Sequence, residues 1–192
     1  LTHQNNLPFV SLQEHSDLAL DAMQLFVCIP DRKNLFAKMV SILDSLGLSV
    51  LNANILTVNI DGTPCALDTY VVIDRFALRD NTGRFISKFL TDIDAQNTLK
   101  SELIFNLDKK SIKPSSEFGL ERSLKHFLVT TDIRFERASM SIHQNHHKMS
   151  LVTKDSTGLL AKIGWVFSRL NIQVHGAKIT TMGERAEDIF FI

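Results

Sequence analysis

The sequence lacks the features that define several large classes of protein. Its 192 residues include only two cysteines, Cys28 and Cys65, which make no disulfide framework and fit a reducing cytoplasm. The 21 basic and 21 acidic side chains cancel, so no basic surplus is available to neutralise the phosphates of a nucleic acid. No apolar run approaches the roughly 20 residues that span a bilayer. We therefore expect neither a nucleic-acid partner nor a membrane partner.

The first residues, Leu1–Asn6, also lack familiar signals. They have neither the charged and apolar regions of a signal peptide nor an initiator methionine, so we expect the chain to be part of a longer protein. The composition is 44% apolar and 22% charged, which is typical of a globular chain that buries a core.

An internal repeat organises the chain. Subtracting 124 from the residue numbers of the last third superimposes it on an earlier segment, so that Asp155 falls on Asp31 and Leu159 on Leu35. The match continues with Ala161 on Ala37, Leu170 on Leu46, Val174 on Val50, Ile179 on Ile55 and, after a four-residue difference in a turn, Ala186 on Ala66 and Asp188 on Asp68. Such self-similarity predicts that one supersecondary unit is used twice.

The first copy has the periodicities of a βαββαβ unit. The predicted elements are a strand Met23–Ile29, a helix from Leu35 to Leu46 that Gly47 ends, strands Ser49–Asn59 and Ala66–Ile73 around an Asp61-Gly62 turn, a helix from about Thr82 towards Leu107, and a fourth strand His126–Phe135. A linker-like insertion is predicted at about 109–122, where Pro114 and Gly119 occur.

The second copy begins in the same way but is shorter. Its predicted elements are a strand Lys148–Thr153, a helix Leu159–Leu170, and strands Gln173–Met182 and Ala186–Ile192. We therefore expect an α+β fold of two ferredoxin-like modules, with antiparallel sheets and helices on one face. The expected divisions are a leading segment 1–22 after an upstream domain, a first module 23–140, and an incomplete second module 146–192. An open edge at Lys148–Thr153 would expose backbone groups, so we expect another strand to pair with it.

The turns that precede the first helix of each copy resemble the Asp-x-Pro-Gly-Leu-Leu signature of ACT domains, a family of βαββαβ modules that sense amino acids. These turns read Asp31-Arg32-Lys33-Asn34-Leu35-Phe36 and Asp155-Ser156-Thr157-Gly158-Leu159-Leu160. Longer stretches are similar to the C-terminal tandem ACT modules of the PII uridylyltransferase family, bifunctional enzymes that attach uridylyl groups to a nitrogen-signalling protein and remove them. The stretches are Pro8–Leu12, Ala66–Val72, Leu124–Phe127, Leu160–Gly164, His175–Thr181 and Gly183–Ile192.

The resemblance implies a regulatory region that senses glutamine or another small amino acid in a cytoplasmic enzyme. It implies PII as the partner of the longer protein, which glutamine would shift from uridylylation towards removal of the uridylyl group. The catalytic domains, with Mg²⁺ and a second metal, would precede residue 1. We expect no catalytic residue, cofactor or metal in this chain, and we expect pairing between modules or between copies.

The two turns could recognise an amino acid through simple chemistry. Unpaired N–H groups and a partial positive charge at a helix N-terminus suit a carboxylate, and a nearby aspartate suits an ammonium group. Small residues at the start of the following strands would let a ligand approach. The candidate ligand-binding residues are Asp31, Arg32, Lys33, Asn34, Leu35, Asn52, Ala53 and Asn54 in the first copy, and Asp155, Ser156, Thr157, Gly158, Leu159, Gly176, Ala177 and Lys178 in the second.

Simpler explanations exist for each of these features. The two aspartates could cap helices, and the small strand residues could serve strand–helix packing. Lys33-Asn34 replaces Pro-Gly in the first turn, which favours a structural or dimerising module without a ligand. His143, His146 and His147 suggest a metal site, but no acidic or cysteine partner stands at ligand spacing, so a solvated turn is the expectation.

Overall fold

The computed structural model describes residues 7–15, 22–83, 85–108, 130–137 and 146–192. The helices are α1 (Leu35–Ser45), α2 (Lys88–Thr91), α3 (Ile93–Asp108) and α4 (Leu159–Arg169). The strands are β1 (Phe9–Glu14), β2 (Ala22–Pro30), β3 (Leu48–Asn54), β4 (Thr57–Ile60), β5 (Thr63–Asp74), β6 (Leu78–Arg79), β7 (Phe85–Ile86), β8 (Asp132–Arg137), β9 (His147–Lys154), β10 (Gly176–Lys178), β11 (Thr181–Met182) and β12 (Arg185–Phe191). The expected α+β class is confirmed.

One antiparallel sheet runs through both copies in the order β1-β2-β5-β3-β10-β12-β9-β8. The first four strands form the first half of the molecule, and the last four repeat that arrangement in reverse as the second half. The halves meet where Asn54 of β3 pairs with Lys178 of β10. These two positions differ by 124, so each is the equivalent of the other in the repeat. An approximate two-fold axis therefore passes through this seam.

The same axis passes between α1 and α4, which pack against each other on one face of the sheet. Val40 and Gly164 also differ by 124, and they meet at this contact. A Cβ atom added to Gly164 would lie 2.9 Å from Cγ2 of Val40 and 3.0 Å from Cα of Ala37. Gly164 therefore allows an approach of the two helices that a side chain would prevent.

A single hydrophobic core joins the two halves. Met23, Leu25 and Val27 alternate along β2 and are fully buried beneath the helices, as the strand period requires. In the second half, the buried Phe190 ring makes edge-to-face contacts with Phe36 of α1 and Phe167 of α4, at centroid distances of 5.9 and 5.1 Å. Because Phe36 belongs to the first half, these rings connect the two halves under the helices.

The prediction that the fourth strand belongs to the sheet of the first copy is wrong. The strand predicted at His126–Phe135 lies at β8, Asp132–Arg137, and it pairs along its length with β9 of the second half. The corresponding position in the first half is taken by β1, which pairs with β2. Both edge strands precede the strand they pair with, and pairing between near neighbours in sequence closes only a short loop. The expectation that a strand covers the Lys148–Thr153 edge is confirmed.

Two smaller expectations are also corrected, and one lies outside the described residues. The helix predicted from Thr82 begins only at Lys88, because β6 and β7 pair with each other before it and Gly83 has a φ of 84°. The long strands predicted after each first helix are interrupted, giving β3 and β4 in one copy and β10 and β11 in the other. The linker predicted at 109–122 lies outside the described residues and stays a prediction. In the described part of the chain, no helix is long and apolar enough to span a membrane.

Candidate functional site

The turns before α1 and α4 have the same backbone hydrogen bonds. The amides of Asp31 and Asp155 donate to the carbonyls of Pro64 and Glu184, both at 2.8 Å. Asn34 and Gly158 then adopt the left-handed conformation, with φ of 63° and 72°. Asparagine tolerates this conformation better than most residues. The replacement of glycine by Asn34 therefore leaves the turn geometry intact.

Neither aspartate caps its helix. The residues at the N-cap positions are Asn34 and Gly158, and neither offers a side-chain hydrogen bond to the helix. Asp31 instead accepts a hydrogen bond at 2.9 Å from the hydroxyl of Thr57. The capping alternative is therefore wrong, and the first-turn N–H groups of both helices have no side-chain cap from these residues.

Each turn faces the other half of the molecule across a cavity. The second cavity, of about 170 Å³, lies between the turn of Asp155–Gly158, the start of α4, and β3 of the first half. The first cavity, of about 20 Å³, lies between the turn of Asp31–Asn34, the start of α1, and residues 172–174 of the second half. About 10–15 Å³ of cavity volume is needed for one water molecule, so the first cavity has room for about one water and the second for a molecule several times larger.

A buried carboxylate lines each cavity, although neither was among the candidates. Asp68 of β5 and Asp188 of β12 are each 2% exposed, and they occupy equivalent places in the repeat. Burial raises the pKa of Asp68 to about 7 and that of Asp188 to about 6. The neighbouring charges of Asp31 and Asp155 contribute to these two rises. Each cavity is thus lined by two carboxylates, one from the turn and one from the neighbouring strand.

Both buried carboxylates have hydrogen-bonding capacity left over. Asp68 accepts from the Tyr70 hydroxyl at 2.9 Å through Oδ2, while its buried Oδ1 has no partner among the described residues. Asp188 accepts from the Thr180 amide at 3.3 Å through Oδ1. Within the described residues, no partner is found for Oδ2 of Asp188. An unmet acceptor in a cavity is suited to a donor carried by a ligand.

An ion pair from the first half forms the far wall of the second cavity. The guanidinium of Arg75, which follows β5, donates to Oδ1 of Asp44 at 2.7 Å and also to the Asp44 carbonyl. The side chains are 23% and 8% exposed, so the pair is largely shielded from water. It lines the same cavity as Asp155 and Asp188. Two opposite charges therefore face the turn of the second half.

The structure brings together only part of the predicted set. Nine candidates line the two cavities: Asp31, Arg32, Asn34, Leu35, Asp155, Ser156, Thr157, Gly158 and Leu159. Lys33 is not among the lining residues. Asn52–Asn54 and Gly176–Lys178 lie instead at or beside the seam where β3 meets β10. The small residues among them, Ala53, Gly176 and Ala177, therefore belong to the paired strands rather than to the lining of a cavity.

The histidines that the structure describes do not form a metal-binding cluster. The rings of His146 and His175 stack at a centroid distance of 3.9 Å, and His147 begins β9. His143 lies outside the described residues. Among the residues that are described, no three histidine, cysteine, aspartate or glutamate side chains come close enough to hold a metal ion.

Comparison with known proteins gives a consistent result. The chain is 43% identical over 96% of its length to the bifunctional uridylyltransferase/uridylyl-removing enzyme of Psychrobacter cryohalolentis, and 38% identical over its whole length to that of Acinetobacter baumannii. These matches cover 18% and 20% of the relatives, so the chain spans about a fifth of their length. No family model matches, and no solved structure matches. The resemblance to uridylyltransferase/uridylyl-removing enzymes that the longer stretches indicated is confirmed.

Proposed function

We propose that this chain is the amino-acid-sensing region of a PII uridylyltransferase/uridylyl-removing enzyme, and that its ligand is glutamine. The observation that carries the proposal is the second cavity, because a helix N-terminus, two carboxylates and the other half of the molecule all border it. The similarity to uridylyltransferase/uridylyl-removing enzymes supports the same proposal.

An α-amino acid fits the second cavity through its two charged groups. Its ammonium group would lie between the carboxylates of Asp155 and Asp188, where it supplies the cation that both lack. Its carboxylate would accept from the first-turn amides of α4, near Leu160 and Ala161, where the helix dipole favours negative charge. The left-handed Gly158 leaves the backbone open at this point.

Ligand binding would favour one packing of the two halves. The cavity is bordered by α4 and β12 from the second half and by β3 and Arg75 from the first, so a bound molecule would contact both. A ligand that binds one arrangement more tightly shifts the population towards it. In the longer cytoplasmic enzyme, this shift would reach the centres that add uridylyl groups to PII and remove them, where Mg²⁺ and a second metal would act.

A structural role is the second candidate, and it is favoured for the first turn alone. The first cavity, of about 20 Å³, has room for about one water molecule. The first turn would then hold the halves together without binding an amino acid.

The proposal is tested by titrating glutamine into this 192-residue chain and following its thermal unfolding. A glutamine concentration of about 100 times the dissociation constant should add roughly 2.7 kcal/mol to the free energy of unfolding. Gly158→Val should abolish most of this effect, because its side chain would block the helix start. Gly62→Val is the matched control, since Gly62 also has positive φ (83°) but lies in the distant β4–β5 turn.

The controls also separate the possible explanations. In the longer enzyme, Gly158→Val should remove the glutamine response of uridylyl transfer while leaving the activity without glutamine in place. If millimolar glutamine shifts neither the unfolding of the unaltered chain nor the activity of the longer enzyme, the structural role is left and sensing is wrong.

A further inference from the structure

The two cavities differ most at the wall that the opposite half supplies. In the first cavity this wall is formed by Phe167, Ile172, Gln173 and Val174, which carry no formal charge. In the second it includes Asp44 and Arg75. The position equivalent to Asp44 in the repeat is Ser168, so the ion pair has no counterpart across the axis. The repeat alone therefore does not account for this pair.

The charge of the second cavity limits which amino acids it can accept. Asp44 and Arg75 cancel each other, which leaves the negative charges of Asp155 and, above its pKa of about 6, Asp188. A zwitterionic ligand with a neutral side chain adds no net charge. A ligand with an acidic side chain adds a negative charge next to Asp44, in a place largely shielded from solvent. Like charges in such a place repel strongly.

The pair also offers hydrogen-bond donors beside a negative charge. A guanidinium carries five N–H donors, and Arg75 directs one from each of its two terminal nitrogens to Asp44, so donors remain for a further group. The carbonyl of a carboxamide can accept from Arg75, and its neutral NH₂ group can lie near Asp44 without charge repulsion. A carboxylate can also accept from Arg75, but it brings a second negative charge next to Asp44.

From this geometry we infer that Asp44 and Arg75 read the side chain of the bound amino acid and select a carboxamide over a carboxylate. The inference rests on the proposed function, since it assigns specificity to the same cavity. Discrimination between glutamine and glutamate is thus placed in the first half of the molecule, whereas the groups for the ammonium and the carboxylate belong to the second.

The test is a calorimetric titration of glutamine and of glutamate, at pH 7.5, into the 192-residue chain and its variants. The unaltered chain should bind glutamine more tightly than glutamate. Asp44→Asn leaves Arg75 unbalanced, so it should raise the affinity for glutamate relative to glutamine at least about tenfold. The double variant Asp44→Asn/Arg75→Gln restores a neutral pair with donors and acceptors, so the preference for glutamine should return. Glu102→Gln, an exposed change on α3, is the control.

Each outcome separates the inference from the proposed function. If the unaltered chain binds neither amino acid, the proposed function is wrong. If it binds glutamine while Asp44→Asn leaves the ratio of the two affinities within about twofold of its original value, only the specificity inference is overturned. If Asp44→Asn does not fold, the double variant decides, because equal affinities for glutamine and glutamate would also overturn the inference.

Discussion

The two halves of the sheet have the same strand order, but their edge strands, β1 and β8, differ in burial. Val10 of β1 pairs with Val27, and Ile133 of β8 pairs with Leu151, the equivalent of Val27 in the repeat. Val10 is 8% exposed, because α3 packs on β1, whereas Ile133 is 52% exposed. Among the described residues, no helix packs on β8. The two halves therefore share their strand arrangement, while the burial of the edge strand depends on a helix outside the repeated segment.

The two cavities show a similar difference at the candidate site. The two turns have matching backbone conformations and matching buried aspartates, yet the volumes they border are about 20 and 170 Å³. The difference comes from the residues that each half contributes to the cavity of the other.

The largest effect that we expect concerns the buried aspartates of the two halves. Because the pKa of Asp68 in the folded chain, about 7, lies above its ordinary 3.8, the folded state holds the proton more tightly. The free energy of unfolding should therefore fall by roughly 4 kcal/mol between pH 4 and pH 7 on account of this group. Asp188, with a pKa of about 6, should contribute roughly 3 kcal/mol between pH 4 and pH 6.

Urea unfolding at several pH values between 4 and 7 measures this pH dependence of the free energy of unfolding. In Asp68→Asn, the fall in the free energy of unfolding with rising pH should stop near pH 6. In Asp188→Asn, the fall should become shallower below pH 6 but should still extend to pH 7. Unchanged slopes in both variants would show that the two carboxylates are not buried as described.

A second effect concerns the axis between the halves. Gly164→Val should lower the free energy of unfolding by about 3 kcal/mol, because the new side chain would meet Val40 and the backbone of Ala37. The exchange Val40→Gly/Gly164→Val places the same two side chains on opposite sides of the axis. It should recover most of the loss in urea unfolding. Equal instability of the single and double variants would contradict the two-fold relation.

A third comparison uses the two edge strands. Leu12 is 8% exposed and Phe135, its equivalent in strand pairing, is 65% exposed. Leu12→Ala should therefore lower the free energy of unfolding by about 2 kcal/mol, and Phe135→Ala by less than about 0.5 kcal/mol. A larger loss from Phe135→Ala would mean that another part of the protein covers β8.

The smallest effect concerns the left-handed residues of the two turns. Asn34→Gly and Gly158→Asn should each change the free energy of unfolding by less than about 1 kcal/mol, since both residue types adopt positive φ. Thermal unfolding of the two variants measures this. A loss of several kcal/mol in Gly158→Asn alone would show that the second turn has less space than the first.

The sequence was sufficient to predict the repeat, the α+β class and the first helix of each copy. These features follow from local periodicity and from the constant offset between Asp31 and Asp155. The partner of β8 was not predictable in this way, because β8 alternates as a strand should and nothing local distinguishes pairing with β9 from pairing with the first half. The role of β1 was missed for the same reason, although Phe9–Glu14 also alternates.

The site was only partly predictable. The two turns were identified from their motif, but Asp68 and Asp188 were not among the candidates, even though both copies place an acidic residue within an apolar strand. That repeated acidic residue was the available signal. Asp44 and Arg75 left no such signal, because they reach the second turn only when the two halves pack together.

The unequal residues on the two-fold axis have a consequence for assembly. In a dimer of identical chains, a residue on the axis meets its own copy. Here Val40 meets Gly164 and Asn54 meets Lys178, so two first halves would bring two valines together and two second halves would leave a gap. Each half therefore fits its partner in the same chain better than a copy of itself. Because the chain connects them, that partner is present at a fixed local concentration, and we expect the response to ligand to be independent of how much protein the cell contains.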